Sequence, residues 1–129
     1  MKDILFVFIG GGAGSVLRYE VSVAWRYLIS NGYIVKSVMP WPTLFVNVLG
    51  CFLIGLFYQY AERWGLSSET RLMLTTGLCG GFTTFSTFSY EGVNLIRAGH
   101  MSYYIIYVVL SIVLGLLAAA MPIVNFVKQ

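Results

Sequence analysis

Four long apolar stretches run along the chain, separated by short polar ones. They extend roughly from Ile4 to Ile29, Thr43 to Tyr60, Leu72 to Ile96 and Tyr103 to Val127. A helix that crosses a bilayer needs about 20 predominantly apolar residues, and each stretch is near that length. The interruptions carry turn chemistry: Ser30-Asn31-Gly32 with Pro40 and Pro42, the polar segment Ala61 to Thr70, and Arg97 to Ser102. Pro42 suits a first helical turn, where its missing N–H costs nothing. The pattern predicts an all-α integral membrane chain, with four transmembrane helices in a single domain over residues 1–129. Lys2 followed by Ile4 to Ile9 mimics a short signal peptide, but no small-x-small cleavage site follows. That run reads as the start of an uncleaved span.

Composition narrows the class. Of 129 residues, 58% are hydrophobic and 10% charged, with a mean hydropathy of +0.80. A fold in water could not hide so much apolar surface behind thirteen charges. An aromatic content of 16% excludes disorder. No length remains for a soluble domain that does ATP-driven work. The net charge is +3, and the eight Lys and Arg are scattered, which suits anchoring to lipid headgroups and excludes nucleic acid. Lys2, Arg63, Arg71 and Lys128 would face one side of the membrane. Lys36 and Arg97 would face the other, joined by Arg26 if it snorkels. So balanced a chain could insert both ways, which allows an antiparallel homodimer. Cys51 and Cys79 lie in apolar runs as small packing residues, and His100 sits in a loop.

The remaining polarity is concentrated. Gly10-Gly11-Gly12-Ala13-Gly14 is neither a dinucleotide fingerprint nor a phosphate loop. Its Gly10 and Gly14 do form GxxxG, which lets another helix approach closely. Asn47 is the one strongly polar residue of the second span. The third span holds five hydroxyls in seven residues, Thr83 to Ser89. One or two could bond back to their own helix, but five on a lipid-facing helix need another purpose. Gly80-Gly81 weakens the same helix, and broken helices at membrane depth occur where backbone is buried or lines a cavity. Freed carbonyls at such a break can hold a cation. Phe82, Phe85 and Phe88 recur every third residue. Phe82 reads as packing, whereas the positive edges of the other two rings can touch an anion without a formal charge. Hydroxyls and the Asn47 amide add hydrogen-bond donors. A fixed Lys would bind an anion more tightly but slow its release. The fourth span adds Tyr104, Tyr107, Ser111 and Gly115 on one stripe. Glu20 reads as an ion-pair partner of Arg18 and Arg26, and Glu91 as a cap or pair near the end of the third span. With one His and five acids, no catalytic constellation emerges, so an enzyme is not expected.

At these residues the sequence resembles the Fluc family of fluoride channels. The resemblance rests on Gly77-Leu78-Cys79-Gly80-Gly81-Phe82-Thr83-Thr84-Phe85-Ser86-Thr87-Phe88-Ser89, on Val46-Asn47-Val48-Leu49-Gly50 and on Gly14-Ser15-Val16-Leu17-Arg18. It covers nearly the whole chain. It implies an antiparallel, dual-topology homodimer with two fluoride pores in the cell inner (plasma) membrane, the third helix being broken at Gly80-Thr83. It implies passive efflux of fluoride that entered as neutral HF. By residue, it makes Asn47 the pore asparagine and Phe85 and Phe88 the pore-lining rings. Ser86, Thr87 and Ser89 fall on a polar track that begins at Thr43, and Tyr107 and Ser111 are its fourth-span members. Arg18 is a vestibule arginine, and the backbone carbonyls of Gly80 and Thr83 hold a structural sodium ion (Na+) between the two copies. Two departures stand out: Gly115 where the family often has a second serine, and Pro42 where it often has glycine. The competing readings are a proton-coupled small multidrug exporter that uses Glu20, and a non-transporting accessory subunit, which would leave the third-span hydroxyls unexplained.

Overall fold

The protein is described by a computed structural model, which covers residues 1–127. Lys128, assigned above to one membrane face, lies outside the described residues. Every regular element among those residues is helical. Helix α1 is Lys2–Ser30, α2 is Trp41–Trp64, α3 is the short Ser68–Leu72, α4 is Gly80–Phe82, α5 is Phe85–Arg97 and α6 is Met101–Val127. A π-helical segment, Met73–Cys79, lies between α3 and α4.

Among the described residues three helices are long and apolar enough to cross a membrane: Lys2–Ser30, Trp41–Trp64 and Met101–Asn125. They match the first, second and fourth apolar stretches, with ends within four residues of those expected. Pro42 sits in the first turn of α2, as its missing N–H allows. Gly65 closes α2 in the left-handed region (φ 61°), where a side chain would be strained. The third stretch is not one helix. Residues 68–97 form α3, the π segment, α4 and α5 in succession.

The break within that stretch is narrower than expected and sits later. Gly80 and Gly81 are helical, so they are not the break. The chain becomes extended at Thr83 (φ −82°, ψ 160°) and Thr84 (φ −152°, ψ 119°). The reason is tertiary. Gly81 packs backbone-to-backbone against Gly11 of α1, and that helix-to-helix contact keeps the glycine pair helical. Upstream, the Gly80 N–H reaches back five residues to the Thr75 carbonyl, and the Thr75 hydroxyl donates to the Arg71 carbonyl at 2.7 Å. The hydroxyl back-bond supports a ladder that has left the α register.

Two pairings hold the elements together. Helix α2 packs most extensively on α6, and α1 packs on the π segment and α4. In the second pairing, a methyl group on Gly10 would strike the Met73 carbonyl, and one on Gly14 would strike the Leu78 carbonyl. Lipid tails are as apolar as leucine, so close van der Waals contact of this kind is what joins helices in a membrane. A small core of Met39, Leu44, Leu95 and Tyr107, flanked by Val48, Phe88, Tyr104 and Leu110, ties α2, α5 and α6 together.

Candidate functional site

The site is built around the break. Asn47, on the face of α2 that meets Thr84, clamps the extended backbone. The Thr84 N–H donates to Asn47 Oδ1 at 2.8 Å, and Asn47 Nδ2 donates to the Thr84 carbonyl at 3.2 Å. One amide therefore replaces the helical bond that the Thr84 N–H has lost, adds a donor to the Thr84 carbonyl and keeps a second N–H in hand. The Thr84 N–H would otherwise have closed the ladder on the Gly80 carbonyl. That carbonyl is released from the ladder. Thr83 turns inward, its hydroxyl donating to the Cys79 carbonyl at 2.8 Å, while its own carbonyl precedes the new helix. Thr84 caps α5: its Oγ1 accepts from the Thr87 N–H at 3.2 Å, donates to Thr87 Oγ1 at 3.2 Å and lies 3.2 Å from Ser86 Oγ. A cap of this kind contributes about 1 kcal/mol to the helix it starts.

Two cavities share Thr84. One, of about 300 Å³, is lined by Asn47, Cys51, Thr83, Thr84, Phe85, Phe88, Ser111 and Ile112. It contains no charged side chain. Phe88 is half-buried and stacks at a tilt on Tyr107, with ring centroids 4.9 Å apart. Phe85 is 79% exposed, with its ring 5.8 Å from that of Phe88. The other cavity, of about 220 Å³, is lined by Ser15, Arg18, Tyr19, Ser22, Pro42, Thr43, Val46, Thr84 and Thr87. Arg18 does not pair with Glu20. Its Nε donates to the Gly81 carbonyl at 3.1 Å, so the guanidinium is tied to the backbone just before the break. Glu20 is exposed, lines neither cavity, and among the described residues has no ion-pair partner.

A third cluster joins α2, α5 and α6. The Thr43 hydroxyl donates to Glu91 Oε1 at 2.5 Å. Glu91 Oε2, the Tyr107 hydroxyl and Ser111 Oγ are buried in one seam. Tyr107 is fully buried, and its hydroxyl faces the Glu91 carboxylate. Ser111 Oγ is left without a partner. A buried polar atom left unpaired costs about 1–3 kcal/mol, so that hydroxyl is open to a small polar ligand.

The expected site residues thus fall into connected groups. Asn47, Thr83, Phe85, Phe88 and Ser111 share one cavity; Arg18, Thr43 and Thr87 share the other. Tyr107 packs on Phe88 and follows the same α6 stripe as Ser111. Gly80 lies exposed on the free side of α4. Ser86 lies 3.2 Å from the Thr84 cap hydroxyl, and Ser89 lies exposed. Two residues were missed. Glu91 reads as a cap or pair near the end of the span, yet it stands four residues after Thr87 and bonds Thr43; that helical spacing was the available signal. Thr84 was one hydroxyl among five, although threonine just before a helical run is a preferred N-cap residue.

The chain is similar to known proteins over most of its length. Residues 5–123 match the family described as CrcB-like protein, Camphor Resistance (CrcB). A protein of Bacteroides fragilis called "Fluoride-specific ion channel FluC" is 48% identical over 118 residues, 92% of this chain and 91% of its own. One of the same name from Phocaeicola vulgatus is 46% identical over 124 residues, 95% of this chain and 97% of its own. A third, from Thermus thermophilus, is 42% identical over 119 residues, 92% of this chain and 90% of its own.

Proposed function

The chain belongs to the CrcB-like family, and from that premise we propose that it is a fluoride-specific channel through which the anion leaves the cell passively. It is a multi-pass membrane protein and not an enzyme. The observation that carries the family's chemistry to this chain is the uncharged cavity of about 300 Å³ around Asn47, Thr84, Phe85, Phe88 and Ser111. Fluoride is small and strongly hydrated, so a site must replace its water shell with donors. Here those donors are the free N–H of Asn47 and the hydroxyls of the track, with ring edges of Phe85 and Phe88 beside them. Neutral donors bind weakly enough to release, as conduction requires. Arg18, tied at the break, draws anions toward the Thr43 and Thr87 cavity, and the buried Tyr107 and Ser111 hydroxyls continue the track.

The proposal extends to architecture. The chain makes four crossings of the plasma membrane as a single domain, the third being the composite of residues 68–97. Two copies associate antiparallel and form two pores. Support comes from the exposed side of the break: Gly80, Phe85, Ser86 and Ser89 are uncovered in one chain, and unsatisfied polar groups in lipid cost several kcal/mol each. The carbonyls of Gly80 and Thr83, both outside the helical ladder, suit a hard cation that takes oxygen ligands. They would hold Na+ from both copies. That ion, when bound, supplies a structural cross-link and is not transported. The exporter reading is not favoured, because the relatives are named as fluoride-specific channels.

The test is efflux from liposomes that contain purified protein, read with a fluoride electrode while a potassium ionophore clamps the voltage. Fluoride should leave rapidly and chloride should be strongly excluded. Absence of fluoride flux, or equal flux of chloride, overturns the assignment.

A further inference from the structure

Cys51 has no role in the path described above, yet it lines the same uncharged cavity as Asn47, Phe88 and Ser111. It stands four residues after Asn47, one turn along the same face of α2. Its thiol is free and partly exposed. Across from it, α6 carries Tyr107, Ser111 and Gly115 at successive intervals of four, and the first two end in buried hydroxyls, that of Ser111 with no partner. The third position has no side chain. A methyl group built on Gly115 would lie 3.4 Å from Cys51 Sγ, in ordinary contact with it. The sulfur therefore stands beside the place where a side chain at position 115 would begin. We infer that Cys51 is the third member of this line of donors, supplied from α2 where α6 supplies none. It sets how readily fluoride is passed on beyond Ser111.

The chemistry is consistent. A thiol is a weak S–H donor and a weak acceptor, softer than a hydroxyl. At this place it offers a proton to a passing anion while binding it less firmly than serine would. The geometry also makes positions 51 and 115 neighbours, from either of which a donor can reach the same place. The two positions should therefore compensate.

This inference rests on the fluoride-channel reading, and wild-type flux separates the two. Fluoride efflux is measured in liposomes for wild type, Cys51→Ala, Cys51→Ser and the double variant Cys51→Ala with Gly115→Ser, each checked for monodispersity. If wild type carries no fluoride, the channel reading falls and this one with it. If it does, Cys51→Ala should lose about tenfold in flux, the worth in a rate of one lost donor. Cys51→Ser should conduct at least as fast as wild type. The double variant should regain most of what Cys51→Ala lost, which a purely space-filling role would not produce. A Cys51→Ala protein that conducts normally overturns the inference. So does a loss that neither serine restores.

Discussion

At the scale of single residues, the side chain with most consequence is Asn47. Its amide meets both polar groups of one peptide residue, Thr84, 37 positions away. Replacing Asn47 with alanine leaves that N–H without a partner inside a membrane and takes one donor from the carbonyl. At about 1–3 kcal/mol, the cost is a sizeable fraction of an ordinary protein's stability. Asn47→Ala should therefore lower the thermal midpoint of the detergent-solubilised protein by several degrees and abolish fluoride flux. Asn47→Asp should lose flux with a smaller thermal penalty, because a carboxylate still accepts from the Thr84 N–H but repels its carbonyl. Equal midpoints for Asn47→Ala and wild type would dissociate the clamp from the break. Asn47 was legible in the sequence as a lone polar residue in an apolar span. Its partner was not, since nothing local marks which of the distant hydroxyl-bearing residues it will hold.

At the scale of elements, α1, α2 and α6 were legible because uninterrupted apolar runs of span length have one stable form in lipid. The third stretch was legible as broken but not where. Paired glycines weaken an isolated helix, and from that alone Gly80-Gly81 is the natural place for the fault. Contact with α1 reverses the expectation, because glycine is what permits the approach. The same contact gives a prediction. Gly14→Val places carbon where the Leu78 carbonyl and the Phe82 N–H now stand. Neither is a flexible side-chain end that can swing away. Overpacking of this kind costs about 1–3 kcal/mol or more, so the variant should melt well below wild type. Gly12→Ala, two residues earlier on the open side of α1, meets nothing within 4 Å and should melt no lower than wild type. Thermal scans of the two variants side by side check the assignment, and similar losses for both would contradict it.

At the scale of the whole molecule, the chain exposes 8434 Å². A water-soluble monomer of its mass would expose roughly 6,800 Å². Lipid covers some of that excess, but not the uncovered hydroxyls and backbone of the break. Among the described residues the largest fully buried side chains are Tyr107 and Thr75, so one chain holds little interior of its own. Both facts favour a second copy against the α4–α5 junction. If the copies are antiparallel, a cysteine in place of the exposed Lys36 should be labelled equally by a membrane-impermeant maleimide from either face of intact cells and inverted vesicles. Labelling from one face only would exclude the antiparallel arrangement while leaving the fluoride assignment intact. The sequence hinted at this through the even spread of its basic residues, but charge balance cannot say which faces meet.

The π-helical segment has a consequence of its own. Its hydrogen-bonded ring encloses one more residue than an α-helical ring does, so Met73–Cys79 acts as a rotational offset in the third crossing. Each residue of an α-helix advances the face by about 100°. Without that offset, Gly81, Phe82 and Thr83 would be turned by about that angle away from α1 and α2. The length of the stretch before the break, more than its chemistry, therefore aims the break at its clamp. A one-residue deletion there would leave every donor present in the chain and aim them elsewhere.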